Sequence, residues 1–227
     1  MVMQTAEGRY EEMESETRVL EPSQQAKSAK DEKRDAIVAL AHATFVENGY
    51  AGTSMSAIAA RMGGSKGTLY NYFKSKEELF VAVIERKCAQ ILGMVNEAEI
   101  KSGGDLRATL TDFGEHFIEL VLNADSIAMF RLAVSETDRF PEIGQAIYNS
   151  GISRNLGHVT EFLRHAKESG QLRSDADVTV AAEQFVELCL GMLQRKRLLN
   201  VIPTPDAATI RTNVANAVST FMRAFGA

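Results

Sequence analysis

The stretch from Thr53 to Leu79, TSMSAIAARMGGSKGTLYNYFKSKEEL, leaves this chain few folds to choose from. Met55, Ile58, Ala59 and Met62 follow i, i+3, i+4, i+7 spacing behind the start signal Thr53-Ser54, so they predict a short amphipathic helix. Gly63-Gly64 ends it. Ser65 is positioned to cap a second short helix, expected over 66–73, in which Leu69 and Phe73 share the inward face. Ser75 to Glu78 reads as a capping box and opens a long helix to about Ile100. Two short helices joined by a glycine turn have the layout of a helix-turn-helix, whose second helix enters the major groove of DNA.

The rest of the chain is also written in a helical period. Ile37, Leu40, Ala41, Thr44 and Phe45 form one stripe, predicting a helix from Ala29 to Asn48 that ends on a left-handed Gly49. Further helices are expected at roughly 105–123, 125–138, 141–169, 177–200 and 206–226. They are separated at Asn123-Ala124, Phe140-Pro141, Gly170 and Pro203-Thr204-Pro205. Pro141 suits a first turn, Asp175 or Asp177 can cap the next helix, and Asp206 lies in the first turn of the last. No segment alternates as a β-strand does. The expected fold is all-α, with about nine helices. A disordered acidic tail at 1–28 would precede a helix-turn-helix domain at 29–75 and a larger helical domain at 76–227.

With 227 residues, 45% of them hydrophobic, the chain can bury a sizeable core. Two cysteines exclude a disulfide scaffold and fit a reducing compartment. The start carries no signal-peptide pattern, and no window reaches the roughly 18 unbroken apolar residues of a membrane span. A cytoplasmic protein without a membrane partner is expected.

The net charge of -5 looks unfavourable for nucleic acid until it is divided along the chain. Residues 27–76 hold eight basic and four acidic residues, whereas 1–26 and 77–227 are both acidic. A basic block masked by acidic flanks fits a DNA-binding module joined to another domain, although chance clustering would look similar.

The second short helix carries the chemistry. Opposite Leu69 and Phe73 lie Gly67 and Asn71, flanked by Thr68 and Tyr70. Solvated helix faces favour Lys and Glu; a face of glycine, hydroxyl, amide and phenol suits phosphates and base edges. Gly67 costs about 1 kcal/mol against Ala inside a helix, and close approach to DNA would offset that. Lys66 and Lys76 bracket the helix and could each neutralise a phosphate. Ser54 and Ser65 either cap their helices alone or also set helix N-termini against phosphates.

These residues resemble the tetracycline-repressor (TetR) family of bacterial regulators. The resemblance rests on Gly49-Tyr50, Thr53-Ser54, Ile58-Ala59, Gly63, Ser65-Lys66-Gly67-Thr68-Leu69-Tyr70, Tyr72-Phe73 and Ser75-Lys76-Glu77-Glu78-Leu79, and covers about residues 30–80. Gly64 departs from it, since the family usually has an aliphatic residue there. The resemblance implies DNA contacts at Lys66, Gly67, Thr68, Tyr70, Asn71, Tyr72 and Lys76, with Ser54 and Ser56 touching backbone. Phe130-Arg131-Leu132 and Arg139-Phe140-Pro141-Glu142 look like the AefR-like subgroup. The family implies a homodimeric regulator, most often a repressor, of a palindromic operator, with an effector-binding domain that dimerises through its last two helices.

Apolar stripes fit that implication. Phe185, Leu188, Cys189, Met192 and Leu193, with Val214, Val218, Phe221 and Met222, would form the dimer interface or seal the monomer core. Phe113, His116, Phe117, Leu120, Met129, Phe130 and Tyr148 are candidates for a pocket holding a small apolar or amphipathic effector; ordinary core packing is the competing explanation. No cofactor, metal set or catalytic constellation is legible: Gly63 to Thr68 misses the phosphate-loop spacing, and the four histidines lack ligand spacing. Cys88 beside Arg86-Lys87 is either an activated thiol or a buried inert one. An enzyme with a DNA-like module, or an interaction protein that has lost DNA binding, are the rival readings. A DNA-reading head that neutralises phosphates requires operator affinity to fall steeply with salt, and a titration of binding against salt concentration checks this; a flat response would favour the interaction protein.

Overall fold

The computed structural model describes residues 28–92 and 104–227. Residues 1–27 of the acidic tail and the last residues of the helix expected to reach Ile100 lie outside them. The helices are α1 (Ala29–Gly52), α2 (Met55–Arg61), α3 (Lys66–Tyr70), α4 (Lys76–Leu92), α5 (Leu106–Leu122), α6 (Ala124–Glu136) and α7 (Pro141–Ala146). A π-helical stretch, Ile147–Ser153, leads without a break into α8 (Arg154–Glu168), and α9 (Val178–Leu198) and α10 (Ala207–Phe225) follow. Counting 141–168 as one continuous run, nine helical runs stand among the described residues, and the all-α class holds. The β-pairing within them is one isolated bridge, Leu172 with Gly226.

Local chemistry sets the ends. Ser54, Ser65, Asp177 and Asp206 each accept a backbone N–H of the first turn they precede. Asp206 is thus a cap rather than a first-turn residue. The capping box at Ser75 is altered: Ser75 Oγ accepts from the Glu78 N–H at 3.1 Å, but the Glu78 carboxylate reaches back to the Lys74 N–H at 2.7 Å. Gly49, at φ 70, turns the chain as expected, yet a short helical turn continues to Gly52. The helix expected over 66–73 is shorter, because Tyr72 and Phe73 both return their N–H groups to the Leu69 carbonyl and close the turn. The run expected as one α-helix over 141–169 contains the π stretch, where an extra residue is fitted into the turn.

Two apolar clusters organise the molecule. The larger joins α5, α8, α9 and α10 around Leu110, Ile118, Leu163, Phe185, Val214 and Phe221. The other joins α1 to α4, around Phe45, Tyr50, Ile58, Leu69 and Phe80, with Met129 and Ala133 of α6 and Ile143 and Ala146 of α7. Packing therefore does not break at residue 75. Each fully buried side chain of this size contributes about 1.5–3 kcal/mol.

Two arginines, one buried and one half-buried, finish the body, a feature the sequence pattern did not reveal. Arg197, 5% exposed, donates from Nε to the Leu122 carbonyl at 3.2 Å and from Nη1 to Ile202 O at 3.2 Å. Arg131 Nε donates to Leu198 O at 2.8 Å. The two guanidinium groups thus satisfy carbonyls that the ends of α5 and α9 leave unpaired. Asn213 Nδ2 donates to Cys189 O at 2.7 Å, close to the bend that α9 makes at Gly191.

At Gly114 helices α5 and α10 meet: a Cβ there would lie 2.7 Å from Val214 Cγ1 and 3.5 Å from Cys189 Sγ. Gly114→Ala is expected to destabilise the fold by about 1–3 kcal/mol through overpacking. Urea unfolding measures this, and an unchanged midpoint would show that the two helices are not in close contact.

Candidate DNA-reading face and effector cavity

α2 and α3 hold the reading face through their buried sides. Met55, Ile58 and Ala59 of α2 and Leu69 of α3 enter the core, which turns the remaining side chains outward. Gly63, at φ 68, makes the turn between them, in the left-handed region that suits glycine. Ser54, Ser56, Lys66, Gly67 and Asn71 are exposed, and Tyr70 is 47% exposed. Thr68 is half-buried, with its hydroxyl 3.0 Å from Ser65 Oγ. A Cβ on Gly67 would meet only Ser65 Oγ, at an ordinary 3.6 Å, so nothing inside the chain requires glycine there.

Two expected contact residues are engaged within the protein. Tyr72 is half-buried against the head core. Lys76 Nζ donates to Tyr50 O at 2.9 Å and sits 4.0 Å from the centre of the Tyr50 ring. Any phosphate contact by Lys76 must compete with this clamp. Sequence reasoning passed over two exposed cations beside α3. Arg34 stacks over Phe73 at 5.0 Å, and Lys74 follows the turn directly. Their position in the basic block was the available signal. Arg61 is paired with Glu47, which lowers the carboxyl's pKa through their hydrogen bond.

Behind the head lies a cavity of about 480 Å³, walled by α4, α5, α6, the π stretch, α8 and α9. Phe117, Met129, Phe130 and Tyr148 of the expected pocket residues line it, as do Cys88 and Asn155. Phe113, His116 and Leu120 do not. Phe113 stacks on Phe117 at 5.5 Å, within the α5–α9 packing. His116 points outward, its Nδ1 2.9 Å from the Asp112 carbonyl one turn back, because α5 buries the opposite stripe. Burial, then Glu85, push the Cys88 thiol pKa up, and the neighbouring Arg86 and Lys87 face other partners.

The expected dimer residues divide in the same way. Phe185, Val214, Val218 and Phe221 are fully or almost fully buried within one chain, and Met222 packs on that core, so none of the four can meet a partner directly. Leu188 and Met192 are exposed, the latter at 61%. They share the outer side of α9.

Head and body are joined at a charged seam. Lys87 Nζ meets Asp125 Oδ2 at 2.5 Å, and His42 Nε2 lies 3.1 Å from Asp125 Oδ1 without forming a hydrogen bond. Burial lowers the His42 pKa; Asp125 opposes that shift, and Lys87 and Arg86 reinforce it. Arg86 donates to the Asp35 carbonyl of α1.

A short helix with an exposed hydrogen-bonding face, set in a glycine-turned pair and backed by a cavity-bearing helical body, defines a DNA-binding transcriptional regulator. The chain belongs to the TetR family: residues 37–83 match the model of bacterial regulatory proteins of the tetR family, and residues 108–227 match the AefR-like transcriptional repressor C-terminal domain. This is a family of transcriptional regulators, not enzymes. It is similar to the HTH-type transcriptional activator FasR of Mycolicibacterium smegmatis, 35% identical over 92 residues, which are 40% of this chain and 42% of that one. The chain thus matches less than half the length of that relative. A TetR-family regulator from Mesorhizobium loti superimposes with a TM-score of 0.81 at 23% identity, over 88% of this chain and all of the other. The flavonoid-responsive regulator FrrA has a TM-score of 0.72 at 29% identity, over 86% and 98% of the chains. Among the described residues, no helix is long and apolar enough to cross a membrane, and no cluster of residues could hold a metal ion.

The sign of the His42 effect follows from its lowered pKa. Its stabilisation is complete above the unfolded value of about 6.5 and is lost as pH falls toward the folded value, because the unfolded chain takes up the proton first. Melting temperature is expected to drop across that window in the native chain and to drop less in His42→Leu; equal slopes would remove His42 from the seam's energetics.

Proposed function

We propose that this chain is a homodimeric repressor that reads a palindromic DNA operator and is released from it by a small effector. Residues 66–73 enter the major groove of each half-site, with Tyr70 and Asn71 toward base edges and Lys66 toward phosphate. The exposed face of α3 carries this reading: Gly67 has no steric reason within the chain, and Tyr70 leaves almost half its surface in solvent. Ser54 and Ser56 reach backbone from α2, and the N-terminus of α2 can face a phosphate while Ser54 caps it. Lys76 positions Tyr50 first and contacts phosphate second.

Dimerisation uses the outer sides of α9 and α10, with Leu188 and Met192 as apolar anchors. The buried Phe185, Val214, Val218 and Phe221 hold those helices in place from within. The effector binds the cavity in the state whose half-site spacing is wrong for DNA, and only that difference in affinity can drive release. The flavonoid response named for FrrA supports a small-molecule effector.

Tyr70→Ala is expected to weaken operator binding about ten- to hundredfold while leaving the oligomeric state unchanged. Fluorescence anisotropy on operator DNA and analytical ultracentrifugation make the two measurements. Native-like affinity in the variant would remove α3 from the reading face.

A further inference from the structure

The cavity is mostly hydrocarbon, so its few polar groups determine what it accepts. Ser126 is already satisfied: its Oγ donates to the Leu120 carbonyl at 2.6 Å. Lys87 is neutralised by Asp125 at 2.5 Å. Asn155 differs. It stands on α8 facing the cavity with only 6% of its surface exposed, and among the described residues its carboxamide makes no hydrogen bond. The orphaned buried atom among the described residues is His42 Nε2, so the Asn155 amide still meets solvent in the cavity and is free to pair with a ligand that replaces it.

The α9 wall supplies the sign. Glu183 and Glu187 are four residues apart, on one face of the helix, and both border the cavity. Among the described residues neither is held in an ion pair. An anionic head would meet two like charges and a lysine that already has its counter-ion, which is repulsive. A cation meets two carboxylates, the Asn155 carbonyl oxygen and the rings of Phe117, Phe130 and Tyr148, whose faces attract positive charge.

We infer that the effector cavity takes an apolar ammonium: a monocation with a hydrocarbon or aromatic body, held by Asn155 and by Glu183 and Glu187. The inference rests on the effector reading proposed above. The volume of about 480 Å³ suits a small, drug-sized molecule. Asn155 is the residue that makes the buried end selective, because a ligand without a hydrogen-bonding group leaves it unpaired.

The test uses the full chain and three probes with the same tail: decylammonium, decan-1-ol and decanoate. Calorimetry measures binding, and operator release is followed by anisotropy. Decylammonium is expected to bind about tenfold or more tighter than decanoate. Asn155→Leu is expected to weaken decylammonium about tenfold without lowering the melting temperature of the free protein, a combination that a purely structural asparagine would not produce. The double variant Glu183→Gln, Glu187→Gln should erase the preference for charge. Decanoate binding more tightly and releasing DNA would overturn the ligand class and leave the effector reading standing. Unchanged decylammonium affinity in Asn155→Leu would overturn the role of that residue. Failure of decylammonium to bind would overturn this inference and leave the effector reading standing.

Discussion

The arrangement depends on how Tyr50 is held. Its ring lies in the core, 5.0 Å from Phe80 of α4 and 5.2 Å from Phe140 at the start of α7. Its hydroxyl donates to Glu77 at 3.0 Å, and Lys76 covers the ring face and takes its carbonyl. Burial, then Glu77, keep the phenol far above its usual pKa, so the hydroxyl stays a donor. One side chain thus fastens the end of α1, the start of α4 and the entry to α7. The helix-turn-helix is consequently packed on the body rather than hung from it by a linker.

That attachment ties the cavity wall to the helix-turn-helix. α4 contributes Ile84, Lys87 and Cys88 to the cavity wall, while its first residues clamp Tyr50. On the same helix, Lys87 holds Asp125 of α6, and Arg86 holds the Asp35 carbonyl of α1. A ligand that moves the middle of α4 must therefore disturb either the aromatic clamp or the charged seam. The π stretch is packed against α4 at the same level, and a Cβ on Gly151 would come within 2.9 Å of Cys88 Sγ. Tight contacts of this kind transmit small shifts because packed interiors deform little.

Much of the head was legible because its signals are local. Caps at Ser54 and Ser65, glycine at the turn, and Leu69 set opposite Gly67 and Asn71 all act within a few residues. The position of Lys76 was legible, but its partner was not: the Tyr50 carbonyl is 26 residues away, and no spacing rule reports such a contact. Apolar stripes in the body marked buried faces without saying which partner buried them. Phe185 and Phe221 meet each other within one chain, at 5.4 Å, while their spacing in the sequence fits core and interface equally. His116 shared a helix with pocket residues and pointed away from them. Asn155 and Arg197 carried no pattern, since a single polar residue in an apolar neighbourhood is recognised as unusual only once its surroundings are known.

If head and body share one cooperative core through Tyr50, native-state hydrogen exchange will show it. Slow amides in α1 to α3 and in α6 and α7 should open with a common free energy, and Tyr50→Leu should lower both sets together. A head whose amides open well before those of α6 and α7, in the native chain, would make the helix-turn-helix an independent unit that Tyr50 does not bind to the body.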